Sequence, residues 1–172
     1  MGGQLSAQKY KVLHNFTGGA DGGTPVFVQL FGDTSGNLYG TASNGGTNNQ
    51  GTIYRLTPAG ELTVLYNFPG GSGAGGPVSG LIQDSSGNFY GTTESGGTSC
   101  FGGPSGCGVV YKLDAENNFS VLYSFLGATN NNDGGFPQDS LLLDSKGNLY
   151  GTTFGGGIST GTAKMEQVRF LK

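Results

Sequence analysis

Short apolar segments alternate with segments of glycine, asparagine, aspartate and serine along the whole chain. The apolar segments are rich in β-branched, leucine and aromatic residues, which is typical of strands bounded by turns. No segment of the repeats keeps the apolar period of about 3.6 residues that a helix needs over a useful length. In the middle of the chain, the pattern predicts four strands, at residues 78–83, 88–94, 108–114 and 118–125.

The polar segments between the strands are of two kinds. Short D-x-x-G-N segments begin at Asp33, Asp84 and Asp144. They predict tight hairpins, because Asp accepts backbone N–H groups while Gly or Asn adopts positive φ. The connections after the second and fourth strands are long and glycine-rich. In a propeller these long connections lie on one face, which is where we expect the functional site.

The same motifs recur at a long period. Gly36, Gly87 and Gly147 begin GNLYG or GNFYG, so the two successive spacings are 51 and 60 residues. VLHNF, VLYNF and VLYSF recur in the same way, and GTIYRL is followed by GVVYKL. Repeats of this length are typical of propellers, solenoids and arrays. Four antiparallel strands in about 50 residues correspond to one propeller blade.

These motifs resemble the Gloeo-Verruco (GloVer) tandem repeat, a family of bacterial and often exported repeat proteins. The resemblance covers about residues 9–157. It implies a β-propeller that is frequently attached to secretion or anchoring segments, and it brings no established catalytic residues. An extracellular or cell-envelope location of the parent protein is therefore expected. The D-x-x-G-N-L-Y hairpin is also similar to those of NHL and two-component-regulator propeller repeats.

The predicted fold is all-β, a β-propeller of four-stranded antiparallel blades with about three blades per chain. An N-terminal extension (1–8) precedes the propeller repeats (9–160), and an atypical tail (161–172) follows them. Within the repeats, 9–17 is an outer strand that completes a blade, 26–68 and 78–125 are whole blades, and 138–160 is a partial blade. Closed propellers have at least about four blades, so closure by homo-oligomerisation is predicted. A homodimer with six blades is favoured over a trimer, and the N-terminal strand of one chain completes the last blade of the other.

The tail, GTAKMEQVRFLK, lacks the expected third-strand motif G-[TS]-V-[FY]-K. Residues 162–172 can be encoded by a DNA sequence that, when translated two nucleotides later, gives the peptide GKDGAGSVFK. This peptide contains the expected third-strand motif. One hypothesis is therefore that a frameshift changed the tail of a longer propeller. A cloning artefact and a coincidence of codons are the alternatives.

Composition narrows the functional classes. The chain has 36 glycines, 11% charged residues and a net charge of −3, and its eight Lys and Arg residues are scattered singly. Nucleic-acid binding is not expected, since such proteins concentrate basic residues on one face. No apolar run approaches the roughly 20 residues of a membrane helix, and MGGQLSAQKY lacks the apolar core of a signal peptide. Cys100 and Cys107 lack the CxxC spacing of a zinc or redox site, which favours a loop disulfide in an oxidising compartment.

Candidate chemistry rests mainly on carboxylates. The single histidine, His14, stands where Tyr66 and Tyr123 stand in the other copies and is interpreted as a strand residue, so a hydrolytic triad has little support. Glu94 and Asp133 are the candidate catalytic residues, because two carboxylates across a groove can hydrolyse glycosides. The candidate ligand-binding residues, expected near the long-loop face, are Asp21, Asn48, Glu94, Asn131, Asp133 and Asp139.

The favoured function is a non-catalytic binding or interaction module of an exported bacterial protein. Glycans are the preferred ligand class, because the long-loop face is largely uncharged and rich in Asn, Thr and Gly. A glycoside hydrolase or lyase that uses loop carboxylates is the alternative, and a truncated fragment without its own function is the third. No cofactor or metal is predicted, and a calcium site at residues 129–135 is a weaker interpretation than a polar turn.

Overall fold

The computed structural model describes residues 9–25, 29–97, 105–127 and 133–156, and the backbone of residues 169–171. All regular secondary structure in these residues is β-strand. The strands, in chain order, are β1 (Phe31–Gly32), β2 (Leu38–Ala42), β3 (Thr52–Leu56), β4 (Leu62–Asn67), β5 (Ala74–Gly75), β6 (Ile82–Gln83), β7 (Phe89–Thr93), β8 (Ser95–Gly96), β9 (Val109–Leu113), β10 (Phe119–Ser124), β11 (Gly134–Gly135), β12 (Leu142–Leu143), β13 (Leu149–Gly151), β14 (Gly155–Gly156) and β15 (Arg169–Leu171). No helix among the described residues is long and apolar enough to cross a membrane.

Two four-stranded antiparallel sheets form the body of the described chain. The first sheet has the order β1-β2-β3-β4, and the second has the order β6-β7-β9-β10. They lie inside the predicted blades at 26–68 and 78–125, and each of the four strands predicted in the middle repeat contains an observed strand. The first of these, β6, has only two residues, because the Ser79 hydroxyl takes the place of a backbone partner. The hydroxyl accepts the Thr92 N–H at 3.0 Å and donates to the Thr92 carbonyl at 3.3 Å. The all-β prediction is confirmed.

A third sheet is formed by β12, β13 and β15. The tail of the chain therefore supplies its third strand, although the tail sequence does not match the repeat. Leu149 pairs with Leu171 in this sheet, just as Phe89 pairs with Leu113 in the second sheet. In the described residues, β15 has a neighbouring strand on one edge only.

Three small ladders were not predicted from the sequence. In each of them, the glycine-rich segment before a proline pairs with the segment after the second strand of the same repeat, as in β5 with β8, β11 with β14 and the single bridge between Gly23 and Asn44. Glycine is required for this close approach of two backbones. A Cβ atom at Gly96, for example, would lie 2.2 Å from the Gly73 carbonyl oxygen, and φ at Gly96 is +92°.

The core lies between successive sheets. Buried residues between the first and second sheets include Ile53, Phe68, Val109, Tyr111 and Leu113. The corresponding layer between the second and third sheets contains buried Val110, Phe125, Leu141 and Leu149. The second sheet therefore buries apolar residues on both faces, as a sheet stacked between two layers must do.

Two side-chain hydrogen bonds tie successive sheets together in the same way. The Thr41 hydroxyl of the first sheet donates to the Ser79 carbonyl at 3.0 Å. At the equivalent place in the second sheet, the Thr92 hydroxyl donates to the Asp139 carbonyl at 3.5 Å. The arrangement from the first sheet to the second is thus repeated from the second to the third. The described residues contain three sheets of three or four strands, and a closed propeller ring stays a prediction.

The predicted outer strand at residues 9–17 is not formed. No strand is present there, because the segment has no neighbouring strand within the described residues with which to pair. Instead, Leu13 and Phe16 pack against the outer face of the first sheet. The Phe16 ring lies 5.0 Å from the Tyr54 ring, and the equivalent Phe68 and Tyr111 rings lie 5.4 Å apart. Relative to the first sheet, the segment therefore takes the position that the end of β4 takes relative to the second sheet. It lacks the backbone hydrogen bonds of a strand within the described residues.

Candidate functional site

The repeated D-x-x-G-N-x-Y motif is built around its aspartate. Asp84 Oδ1 accepts the backbone N–H groups of Ser86 and Asn88, each at 2.9 Å. Its Oδ2 accepts from the Asn88 amide at 2.8 Å and from the Tyr90 hydroxyl at 2.9 Å. All the acceptor capacity of the carboxylate is thus used inside one hairpin, so this motif is scaffold, as the sequence predicts.

The bond between the aspartate and the tyrosine six residues later occurs in all three copies. Besides Tyr90, Tyr39 donates to Asp33 at 3.1 Å and Tyr150 donates to Asp144 at 2.7 Å. The sequence analysis did not identify this bond, although the constant D-x5-Y spacing signals it. The Asn148 amide, followed by the Tyr150 hydroxyl and backbone N–H groups, lowers the pKa of Asp144 to about 2.

A second recurring pair fixes the end of the outer strand to the following loop. The Tyr123 hydroxyl donates to Asp133 Oδ2 at 2.9 Å, and the backbone N–H groups of Leu126 and Gly134 also donate to this carboxylate. Asp133 is only 2% exposed. A predicted catalytic and ligand residue is therefore buried and bonded within the protein.

His14 and Asp21 reproduce this pair at the start of the chain. His14 Nε2 lies 3.1 Å from Asp21 Oδ2, in the positions of Tyr123 and Asp133 in the later repeat. The Thr17 hydroxyl is the main cause of a lowered pKa of Asp21, to about 2, and the Thr17 backbone N–H and His14 contribute. The interpretation of His14 as a substitute for a strand tyrosine agrees with this contact.

The other sequence candidates are spread over the molecule. Asn48 is exposed, and its amide donates to the Phe68 carbonyl at 3.3 Å. Cys107 is buried and disulfide-bonded. Asn131, Cys100 and most of the segment 129–135, for which calcium binding was the weaker interpretation, lie outside the described residues. Within the part of the chain that the structure describes, no three His, Cys, Asp or Glu side chains form a group that could hold a metal ion.

Two of the predicted ligand residues, Glu94 and Asp139, line one cavity of about 310 Å³ together with Val78 and Gln138. Glu94 directly follows β7, whereas Gln138 and Asp139 follow Pro137 at the start of the next repeat. The cavity therefore lies on the long-loop side, between the second and third sheets. Gln138 was not among the sequence candidates, because its importance comes from a neighbouring repeat.

The hydrogen bonds around this cavity fix its walls. The Glu94 backbone N–H donates to the Gly76 carbonyl at 3.1 Å, and the Gln138 amide donates to Glu94 Oε1 at 3.1 Å. Asp139 Oδ1 accepts the Ser140 N–H at 3.1 Å. Gln138 and Asp139 are exposed and Glu94 is half-buried, so the two carboxylates face a solvent-accessible cavity. We call this set of four residues the Glu94 cavity.

Comparison with known proteins gives a family and no close relative. No curated protein matches the chain. The model of the Gloeobacter/Verrucomicrobia repeat matches residues 4–163, which include both four-stranded sheets and the Glu94 cavity. The resemblance inferred from the motifs is confirmed, and the chain belongs to the Gloeobacter/Verrucomicrobia repeat family.

Proposed function

We propose that the chain is a non-catalytic glycan-binding module of an exported bacterial repeat protein, with the Glu94 cavity as its ligand site. The observation that carries the proposal is the convergence of Glu94, Gln138 and Asp139 around one open cavity of about 310 Å³. Carboxylate and amide groups accept and donate the hydrogen bonds that sugar hydroxyls offer, and Val78 supplies an apolar wall. The size is at the lower end for ligand pockets, which suits one or two sugar rings.

Charge restricts the class of glycan. Among the described residues, the cavity is lined by two carboxylates and no cation. An acidic sugar would be repelled, since like charges at short range in a partly buried site cost free energy. Neutral, hydroxyl-rich glycans are therefore the ligands that we expect. An exported location is supported by the disulfide at Cys107, because such bonds persist in oxidising compartments.

A glycoside hydrolase is the second candidate, and it would use the same cavity. Glycoside hydrolysis needs two carboxylates on either side of the sugar, at about 5–10 Å from one another. The predicted pair of Glu94 and Asp133 does not suit this role, because Asp133 is buried among its own donors. Glu94 and Asp139 share a cavity and are the pair that an enzyme would use.

We further propose that the three sheets are blades of a propeller that closes by self-association. The repeated contacts of Thr41 with Ser79 and of Thr92 with Asp139 support a constant step from sheet to sheet, as a propeller requires. Within the described residues, β15 has one open edge and the segment 9–17 has no partner strand, so the three strands of the third sheet and this segment can together form one four-stranded blade.

A glycan array of neutral and acidic oligosaccharides, probed with the labelled chain, tests the binding function. We expect binding to neutral glycans, and a loss of at least about tenfold in affinity for Glu94→Ala and for Asp139→Ala, corresponding to about 1.4 kcal/mol or more. Glu116→Ala removes an exposed acid from the opposite, hairpin side and is the matched control.

A folded chain that binds no neutral glycan, or that binds equally well after both cavity substitutions, would contradict this function. Release of new reducing ends from a bound glycan, abolished by Glu94→Gln, would instead establish the hydrolase. The two outcomes are distinguishable because binding alone leaves the glycan intact.

A further inference from the structure

A second cavity, of about 290 Å³, lies between the first and second sheets on the side of the tight hairpins. Its walls include Arg55 from β3 of the first sheet, and Gln83 and Asp114 from hairpins of the second sheet. Leu65 and Phe89 form apolar walls. This cavity shares no lining residue with the Glu94 cavity.

Arg55 is the one lining side chain with an unsatisfied buried group. Its Nε is buried without a hydrogen-bond partner, and Arg55 makes no ion pair with any of the described residues. The guanidinium lies close enough to the Tyr39 hydroxyl to oppose the rise in the pKa of Tyr39 that burial and Asp33 cause. The guanidinium therefore lies at the wall of the cavity, beside Tyr39, and forms no ion pair with Asp114 or any other described residue.

Three other polar side chains of the cavity have hydrogen-bond partners within the protein. The Tyr39 hydroxyl donates to Asp33, and the Gln83 amide donates to the Gly87 carbonyl at 3.1 Å. The Asp114 carboxylate accepts from its own hairpin, from the Glu116 N–H at 3.0 Å and from the Asn118 N–H at 2.7 Å. Asp114 thus does not pair with Arg55, and its carboxylate is hydrogen-bonded within its own turn.

An unpaired buried donor on a charged group is destabilising by about 1–3 kcal/mol or more, so native structures rarely leave one without a partner. The planar guanidinium is best satisfied by a carboxylate, sulfate or phosphate group. Asp114 disfavours a ligand with several negative charges, because it lines the same cavity. A single carboxylate on an otherwise neutral body meets both conditions.

We propose that this cavity binds a small organic carboxylate of the hexuronic acid class, with the carboxylate on Arg55. The ring lies between Leu65 and Phe89, where its apolar face is removed from water. Its hydroxyls face Gln83 and the exposed side chain of Asn117, which also lines the cavity. The site is independent of the Glu94 cavity, which disfavours acidic sugars.

The first test is isothermal titration of the folded chain with sodium D-glucuronate, D-glucose and sodium sulfate. We expect saturable glucuronate binding and at least about tenfold weaker binding of glucose, because glucose differs by lacking the carboxylate. Arg55→Gln should weaken glucuronate at least about tenfold, and Arg55→Lys should give an intermediate loss, since lysine keeps the charge without the fork. Lys112→Gln is the matched control, because Lys112 takes the position of Arg55 in the second sheet.

The proposal is overturned if glucuronate and glucose bind alike, if Lys112→Gln acts as Arg55→Gln does, or if no saturable binding occurs. Sulfate that binds as tightly as glucuronate would reduce the cavity to a general anion site and would also contradict it. If Arg55→Gln does not fold, the glucuronate affinity of Arg55→Lys is compared with that of Lys112→Gln, and the proposal requires the weaker binding in Arg55→Lys. Glu94→Ala should leave glucuronate binding unchanged, which separates this site from the proposed glycan site.

Discussion

The glycine of the repeated Tyr-Gly pair is dictated by a ring on the adjacent strand. A Cβ atom at Gly91 would lie 2.5 Å from the Tyr111 hydroxyl oxygen, and one at Gly40 would lie 2.6 Å from that of Tyr54. These distances are far below a van der Waals contact. In the first and second sheets, the YG motif therefore recurs because the tyrosine of the third strand lies over the glycine of the second, whereas a Cβ atom at Gly151 in the third copy would lie 2.7 Å from Leu141.

Tyr111 carries a buried group that its surroundings do not satisfy. Its side chain is fully buried, its hydroxyl has no hydrogen-bond partner in the part of the chain that the structure describes, and burial raises its pKa. Removing an unsatisfied buried hydroxyl while keeping the ring relieves its desolvation cost. We therefore predict that Tyr111→Phe stabilises the chain by about 1 kcal/mol, measured as a higher midpoint of urea unfolding at an unchanged slope.

Tyr90→Phe is the matched control for this substitution. The Tyr90 hydroxyl donates to Asp84 at 2.9 Å, so the same chemical change removes a hydrogen bond and should be destabilising by about 1 kcal/mol. If both variants lower the urea midpoint equally, the Tyr111 hydroxyl has a partner, and this account of the core is wrong.

At the scale of a residue, sequence reasoning succeeds where the partner is local. The role of Asp84 follows from its own turn, because the groups that bond to it lie within six residues. Glu94 and Gln138, by contrast, are hydrogen-bonded although they are 44 positions apart in the sequence. The surroundings of Arg55 likewise include hairpin residues of another repeat. Neither could be predicted without the packing of one sheet on the next.

At the scale of the element, the hairpins depend on ionised aspartates. Hydrogen bonds lower the pKa of Asp33, Asp84, Asp114 and Asp144. A carboxylate whose pKa is lower in the folded state stabilises the fold above its unfolded value, 3.8, and loses this contribution as the pH falls towards the folded value. For Asp144, that window runs from about pH 4 to about pH 2.

We predict that acid weakens the chain in this window and that Asp144→Asn reduces the effect. The variant should be less stable than the parent at pH 6 and should lose less stability between pH 4 and pH 2, because asparagine cannot titrate. Urea midpoints at pH 6, 4 and 2.5 measure this. Glu116→Gln is the control, because it removes an exposed acid whose carboxylate makes no hydrogen bond in the described structure. Its urea midpoint should fall with pH as that of the parent does. A parent and an Asp144→Asn variant with parallel pH profiles would contradict the prediction.

The strands themselves were predictable from composition and turn chemistry, with two instructive exceptions. The ladder of β5 with β8 was missed because it consists of alanine, serine and glycine, which carry no apolar signal. The segment at 9–17 was predicted as a strand because it carries the VLHNF motif, and it is not one. A motif specifies where apolar side chains pack, whereas a strand also needs a neighbour for its backbone.

At the scale of the whole molecule, the side chains of the N-terminal segment pack like those of an outer strand. Phe16 contacts Tyr54 as Phe68 contacts Tyr111, and His14 contacts Asp21 as Tyr123 contacts Asp133. The side chains of this segment are therefore held in the outer-strand position while its backbone has no partner strand. A third strand such as β15, open on one edge, is the matching surface. Val12 of the N-terminal segment is 50% exposed, and Leu142 on β12 of the third sheet is 64% exposed.

We predict that the 172-residue chain is a dimer in solution, in which residues 12–16 of each copy pair with β15 of the other. Light scattering should give a mass of about twice 17.5 kDa. Val12→Pro should shift the mass to that of the monomer, because proline removes an N–H from the new ladder, whereas Val12→Thr keeps the β-branched shape and should remain dimeric. Reductant should not change the mass, since the contact uses no cysteine.

A monodisperse monomer of the unaltered chain, or dimers that withstand Val12→Pro, would rule out this pairing. A mass of three chains would keep the strand exchange and change only the number of blades in the ring.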